Sequence, residues 1–373
     1  MVKYNVFFEP VIEFNKRISG FEKSISFTEV LADWKKDSTI EEISALLNNY
    51  VICIFRIDTY SLATSLLFEN IELLNKLFKL AEISEVYIHN PPKKFLNSLK
   101  QHIPQEQLSI NHKSFKKISE QELLQVKIDL DKKIIGQDKA KKSILRKLVA
   151  QLVRPGSKPL VLMFYGDPGI GKTETAKQLS ATLYKNEEIV REQMSMVGGE
   201  ASVKYFKSTT HNDDSFSKTL LNRSSNVILL DEFALAPSFF HTTFFQMFDE
   251  GLYEDQNYKV DLKNSIIICT SNYKSLSELE NNIDIALLSR FDGFIKFSPL
   301  SIAEKNKILL LVYNQITSPN NMISNYTNHL NESEILTEIT NKLESLHNVR
   351  EIRKYVEDII ADKLLECIIN NGE

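Results

Sequence analysis

Cysteine, long apolar runs and an excess of either charge are what this sequence lacks. Its 3 cysteines in 373 residues, Cys53, Cys269 and Cys367, lie far apart in apolar surroundings. With neither the spacing of a metal site nor that of a disulfide framework, they are expected to be buried thiols in a reducing compartment. No apolar run approaches the roughly 20 residues that a membrane-spanning helix needs. The opening stretch MVKYNVFFEPVIEF carries a carboxylate early and no small-residue cleavage site, so it does not read as a signal peptide, and the expected location is cytoplasmic. The 45 basic and 49 acidic side chains leave a net charge of −4. The lysines are scattered rather than massed, which argues against nucleic acid as a partner. Internal repeats and long low-complexity segments are also missing.

What is there is an ordinary soluble composition, 43% hydrophobic and 25% charged, in a chain long enough for two or three domains and a sizeable core. One stretch organises it. Gly166-Asp167-Pro168-Gly169-Ile170-Gly171-Lys172-Thr173 fits G-x-x-x-x-G-K-[ST], with the apolar run Leu160–Tyr165 before it and a helical pattern (Ala176, Leu179, Leu183) behind it. The glycines let the backbone turn successive N–H groups toward phosphate oxygens. Lys172 adds a charge within reach of the β- and γ-phosphates, and the Thr173 hydroxyl suits Mg²⁺. The following helix points its positive end at the same place. An ordinary Gly-Pro turn would not bring strand, loop, Lys-Thr and helix together in this order.

The pattern along the chain predicts three parts. In residues 1–117, apolar runs at Asn49–Asp58, Glu85–His89 and Leu108–Ile110 read as strands. Apolar positions at helical spacing (Leu62, Leu66, Leu67, Ile71, Leu74, Leu77) predict a helix over 60–81. Asn90-Pro91-Pro92 reads as an N-cap opening a helix to about His102. This predicts a small α/β domain with a partly parallel sheet and no catalytic constellation, so partner recognition is its expected role. His89, His102 and His112 are read as packing or surface residues.

A capping box at Ser119–Glu122 starts the next part, 118–299, with a helix through about Asp129 and another from Asp138 to about Leu152. Ile189–Met194 reads as a strand, 197–217 as polar and irregular, and Phe216–Arg223 as a short helix. Val227–Glu232 is four aliphatics ending in two carboxylates, the form of a buried parallel strand that meets a nucleotide at its carboxyl end. Asp231 is placed to hold Mg²⁺ and Glu232 to polarise the attacking water; two acids that merely end a core strand are the plainer alternative. The aromatic segment Pro237–Glu250 reads as one helix, closed by Gly251, serving the core and in part a subunit contact. Ser265–Cys269 is a strand followed by Asn272, which either orients the attacking water or binds the γ-phosphate, or is a turn-forming asparagine. Ala286–Arg290 continues a helix and Phe291–Phe297 is a strand. Residues 300–373 read as helical (Ala303–Ile316, Glu332–Leu346, Arg350 to about Asn370), with an Asn-rich loop at 319–331.

Together these motifs resemble the AAA+ ATPases, and among them the Clp unfoldase and disaggregase branch, over about Leu124–Ile369. Gly166–Thr173 is similar to the family's Walker A and Val227–Glu232 to its Walker B. Ile135-Gly136-Gln137 resembles its adenine-side motif, Asn272 its first sensor, Leu288–Asp292 its arginine-finger segment and Val349–Arg353 its second sensor. The resemblance implies a P-loop α/β fold with a parallel sheet flanked by helices, a C-terminal helical lid, and ATP and Mg²⁺ as cofactors. Ile135, Gly136, Gly166–Thr173, Glu174 and Arg350 would bind nucleotide. Lys172, Glu232, Asn272 and Arg290 would act in hydrolysis, Arg290 on a neighbouring subunit of a hexameric ring. Two positions depart from the branch. His-Asn-Val precedes Arg350 where it favours Gly-Ala or Gly-Ser. Near Thr209–Asp213, where it carries a threading aromatic between glycines, this chain has neither, and Tyr205-Phe206 lies just upstream. Three functions follow as expectations: a ring-forming protein remodeller with a protein client, a nucleotide switch or assembly platform gating an effector without threading, and, disfavoured by the charge pattern, a DNA-associated motor.

Overall fold

The computed structural model describes residues 1–34, 38–63, 70–185, 187–208, 210–318 and 331–370, with side chains as far as residue 366. Leu66, Leu67, Thr209, the 319–330 stretch and the Cys367 side chain lie outside the described residues.

Two five-stranded parallel sheets divide the chain. The first contains β1 (Lys3–Phe8), β2 (Ser24–Ser26), β3 (Ile52–Phe55), β4 (Glu85–His89) and β5 (Leu108–His112) in the order β2-β3-β4-β1-β5. Three of these strands match the predicted runs. β1, the strand beside which β4 and β5 both pair, is not among them. Its alternation places Val2, Tyr4 and Val6 in the core on one face and Phe7 with Phe14 and Ile18 on the other, so the strand is covered on both sides. Asn90 is not an N-cap. It takes a left-handed φ of 46° and donates to the Glu9 carbonyl (3.0 Å), while Pro92 caps the helix Lys93–His102 with no side-chain bond. His89 is fully buried, bonded to Glu9 O (2.7 Å) and stacked on Phe14. His112 stacks on Phe8.

The second sheet comprises β6 (Leu160–Tyr165), β7 (Val190–Gln193), β8 (Val227–Asp231), β11 (Ile266–Ser271) and β12 (Gly293–Lys296), ordered β12-β6-β11-β8-β7; β9 (Leu252–Glu254) and β10 (Lys259–Asp261) form a separate hairpin. β6, β8 and β11 are buried at every residue. Their period of two sorts the side chains between layers, with Leu160, Leu162 and Phe164 in one apolar cluster and Val161, Met163 and Tyr165 in the other. Leu229, fully buried in the first cluster, sets an expected stability. Leu229→Ala should cost about 2–5 kcal/mol in chemical denaturation.

Helices Glu120–Lys133 and Asp138–Val153 lead into this sheet, the first opened by the Ser119–Glu122 capping box. The 197–217 stretch is not irregular throughout, since Gly199–Lys207 is a helix whose Phe206 enters the second cluster. The aromatic segment is broken into Ser238–His241, a 3₁₀ turn at Thr242–Phe244, and Phe245–Glu250. Four of its five phenylalanines are buried or half-buried, and Phe239 is exposed. The tail helices Ile302–Ile316, Glu332–Lys342 and Val349–Asn370 pack on the first cluster. Among the described residues no helix is long and apolar enough to cross a membrane.

Candidate active site

Parallel register brings the motif residues to one edge. β11 lies between β6 and β8, with Ser271 opposite Tyr165 and Cys269 opposite Leu230. The loop after β6, the carboxylates that end β8 and the asparagine after β11 therefore share the carboxyl edge of the sheet, where open α/β sheets bind ligands. Lys172 reaches across them. Its ammonium donates to Gly166 O (2.6 Å), Asp167 O (2.7 Å) and Asn272 Oδ1 (3.1 Å). Thr173 Oγ1 lies 3.2 and 3.3 Å from the two Asp231 oxygens. A hydroxyl and a carboxylate at this separation are the hard oxygen donors that Mg²⁺ takes.

The glycines do different jobs. A Cβ on Gly171 (φ 107°) would meet no atom within 4 Å, so its strained backbone borders open space, the cradle a phosphate needs. Gly166 (φ 136°) leaves no such room, because a Cβ there would sit 2.4 Å from the Phe297 carbonyl. Gly169 is approached by Asn348, and its carbonyl accepts from Val349 N (3.0 Å), which docks the start of the last helix on the loop. Arg350 follows directly and is exposed, close enough for its charge to bear on Lys172. Ile170 is buried, Asp167 pairs with Lys274 (3.5 Å), and Pro168 and Glu174 are exposed. Ile135 packs on the core and Gly136 takes a φ of 67° with Glu304 against it.

Sequence reasoning gave no individual role to five neighbours, although Gln137 and Asn348 lie within motifs it singled out. Arg191 ion-pairs with Asp231 (2.6 Å) and Gln193 donates to Glu232 Oε2 (2.6 Å). They stand two apart on β7, a spacing that puts both on one face, and β7 pairs with β8 in register from Val190 to Gln193. Thr270 donates to Asp231 (2.6 Å) and accepts from Glu232 N (2.8 Å), which fixes Glu232 at its left-handed φ of 55°. Gln137 joins Ser298 O (2.7 Å), Ser298 N (2.9 Å) and Ile170 O (3.3 Å). Asn348 is the fifth. The β7 pair carried a readable signal, two polar residues alternating at the end of a strand next to the carboxylates.

Arg290 lies elsewhere. It pairs with Asp249 (2.8 Å), donates to Ala286 O, and stacks on Phe245. Tyr205 and Phe206 are not a free loop. The Tyr205 hydroxyl donates to Glu192 (2.6 Å), and Phe206 is buried among Phe216, Phe240 and Phe244. Cys53 and Cys269 are buried free thiols whose pKa values burial pushes up. No metal-ligating cluster of His, Cys, Asp or Glu occurs among the described residues.

Burial lowers the Lys172 pKa to about 8, against an opposing pull from Asp231. A phosphate ligand would raise it again, because an opposite charge favours the ammonium. Binding above pH 8 should then take up a proton, and affinity should fall with rising pH by up to about tenfold per unit until the liganded pKa is passed. Calorimetry at pH 9 in buffers of different ionisation enthalpy measures that uptake, which should shrink at pH 7, where Lys172 is already charged before the ligand arrives.

A family profile described as AAA domain (Cdc48 subfamily) matches residues 158–345. The chaperone protein ClpB of Clostridium tetani is 28% identical over 284 residues, covering 66% of this chain and 32% of the relative. The Clp protease ATP-binding subunit ClpE of Streptococcus pneumoniae is 28% identical over 301 residues, covering 71% and 40%. The chain thus spans about a third of the length of these relatives. A closed-state Hsp104 reconstruction with ATPγS and casein shares the fold, with a TM-score of 0.57 at 16% identity over 99% of this chain and 89% of that one.

Proposed function

Because this chain belongs to the AAA domain (Cdc48 subfamily) family and is a Clp-like AAA+ protein, we propose that it binds ATP with Mg²⁺ and hydrolyses it as a subunit of a ring. The observation that carries the reading is the continuous hydrogen-bonded group Asn272–Lys172–loop and Thr173–Asp231–Thr270–Glu232 at one sheet edge. The loop amides and Lys172 hold the phosphates, with Lys172 exchanging Gly166 O and Asp167 O for phosphate oxygens. Thr173 and Asp231 would hold Mg²⁺, which would supply positive charge to the phosphates. Glu232, once Gln193 releases it, accepts the proton of the attacking water. Asn272 orients that water, and Arg350 serves the nucleotide of its own subunit.

Met196 and Leu235 are exposed apolar side chains on two 3₁₀ turns that pack together beside Gln193 and Glu232, groups suited to the head-to-tail contact of a closed ring. In this reading residues 1–117 select the partner, 118–299 carry the nucleotide and 300–373 form the lid. Equilibrium binding of a fluorescent ATP analogue, with Lys172→Ala as control, tests it together with sedimentation of the protein with and without ATP. Wild-type protein should bind and assemble and the variant should do neither; a wild-type chain that binds no nucleotide ends the reading.

A protein remodeller and a nucleotide switch share this site. The inward packing of Tyr205 and Phe206 favours the switch, because neither ring is free to grip a chain. Stimulation of turnover by an unfolded protein would instead support remodelling.

A further inference from the structure

The amino-terminal unit is docked on the segment that leaves the nucleotide site. Lys93 N donates to Asn257 O (2.7 Å) and Lys93 Nζ pairs with Glu254 (2.9 Å), both on the β9–β10 hairpin. Ser61 and Ala63 meet Asn212 and His211, at 3.4 and 3.2 Å. The hairpin in turn holds the end of the Gly199–Lys207 helix. Gln256 N donates to Lys207 O (3.3 Å), Asn257 Nδ2 to Ser208, and Tyr253 OH to Phe206 O. That helix is tied back to β7 through Tyr205 and Glu192 (2.6 Å), and the residues flanking Glu192 hold Asp231 and Glu232. A short run of polar contacts therefore joins the two carboxylates to Lys93.

The junction is built to open. The apolar clusters of the two units are separate, and Phe8 alone among the described residues packs against a cluster of each. Asn90 Oδ1, beside the Asn90–Asn222 contact, and Tyr258 OH, next to Asn257, are buried without a protein hydrogen-bond partner, so docking leaves polar groups unsatisfied that water would satisfy on release. A polar, under-satisfied interface belongs to the low-stability end of a fold.

Resting on the nucleotide site proposed above, we infer that the amino-terminal unit is the load in cis on that site: ATP with Mg²⁺ draws Asp231 and Glu232 from Arg191 and Gln193, loosens β7 and the Gly199–Lys207 helix, and undocks the unit from the hairpin and from His211 and Asn212. In the nucleotide-free chain the end of the Ile57–Leu62 helix rests on His211 and Asn212 and Lys93 rests on the hairpin, and undocking frees both contacts. The two states differ in the contacts of β7, which is the differential interaction a nucleotide-driven shift requires.

Hydrogen exchange of the full-length Glu232→Gln protein, with and without ATP and Mg²⁺, tests this over residues 57–63 and 93–102. Exchange there should rise several-fold with ATP. Lys93→Ala should show the raised exchange without nucleotide and no further rise with it, while still binding the fluorescent analogue. Unchanged exchange in protein shown to bind nucleotide overturns this inference alone, as does low exchange in Lys93→Ala. Failure to bind nucleotide overturns the site and the inference together.

Discussion

Glu232→Gln should lower ATP turnover by about 10²–10⁴-fold while leaving ATP affinity within a few-fold of wild type. The range is that of losing a positioned general base. The substitution conserves shape, and a glutamine oxygen still accepts from Gln193, whose amide lies 2.6 Å from the carboxylate. The backbone bond from residue 232 to Thr270 does not involve the side chain. The left-handed φ at this position is therefore kept, and fold and binding should survive. What is lost is a carboxylate basic enough to take a proton from water. Phosphate release measured beside equilibrium nucleotide binding separates the two effects. Turnover near wild type would remove Glu232 from the water-activating role and return it to the plainer role of a residue ending a core strand. Intact binding with lost turnover would also give an ATP-loaded protein from which a bound partner could be recovered.

Much of this arrangement was legible in the sequence because it is local. A strand, a Gly-rich turn and a helix start form one contiguous stretch at 160–183, and the apolar run 227–230 carries its carboxylates with it. Register then does the rest, since parallel pairing of β6, β11 and β8 aligns three loops that no side chain needs to specify. What was not legible depends on partners far away in the chain. β1 hides in an opening stretch whose mixed Tyr, Asn and Val pattern reads as a strand only when both faces are covered. The Gly199–Lys207 helix is largely polar, and its place is set by Phe206 meeting the rings of Phe216, Phe240 and Phe244 and by Tyr253 OH donating to its carbonyl. Asn90 looks like a cap beside two prolines, yet its side chain is claimed by Glu9, 81 residues away. Arg191 and Gln193 acquire their meaning only once β7 is laid against β8.

Arg290→Ala should leave ATP binding unchanged and lower turnover by about 10³–10⁵-fold, the usual effect of a finger supplied by another subunit. The expectation that the effect is in trans rests on where Arg290 stands in its own subunit. β12 runs parallel to β6, and Asp292 N bonds Val161 O at the start of β6. Arg290, two residues earlier, stands at the amino edge of the sheet, whereas the phosphate loop leaves the carboxyl edge. Six residues of strand at about 3.3 Å each put roughly 20 Å between those edges, well beyond an arginine side chain. In the single chain the guanidinium rests on Asp249 and Phe245. Such a partly exposed pair is typically worth about 0.2–1 kcal/mol, so a neighbour's γ-phosphate can readily take the arginine from it. Mixing decides the matter. Arg290→Ala subunits keep an intact site but offer no finger, and Glu232→Gln subunits offer a finger but cannot activate water. Each is nearly inactive alone, and a mixed assembly places some good fingers against good sites. Turnover should pass through a maximum as the ratio is varied. A flat line at every ratio would mean that Arg290 does not serve a neighbour, and full activity of an unassembled wild-type chain would mean that no neighbour is needed.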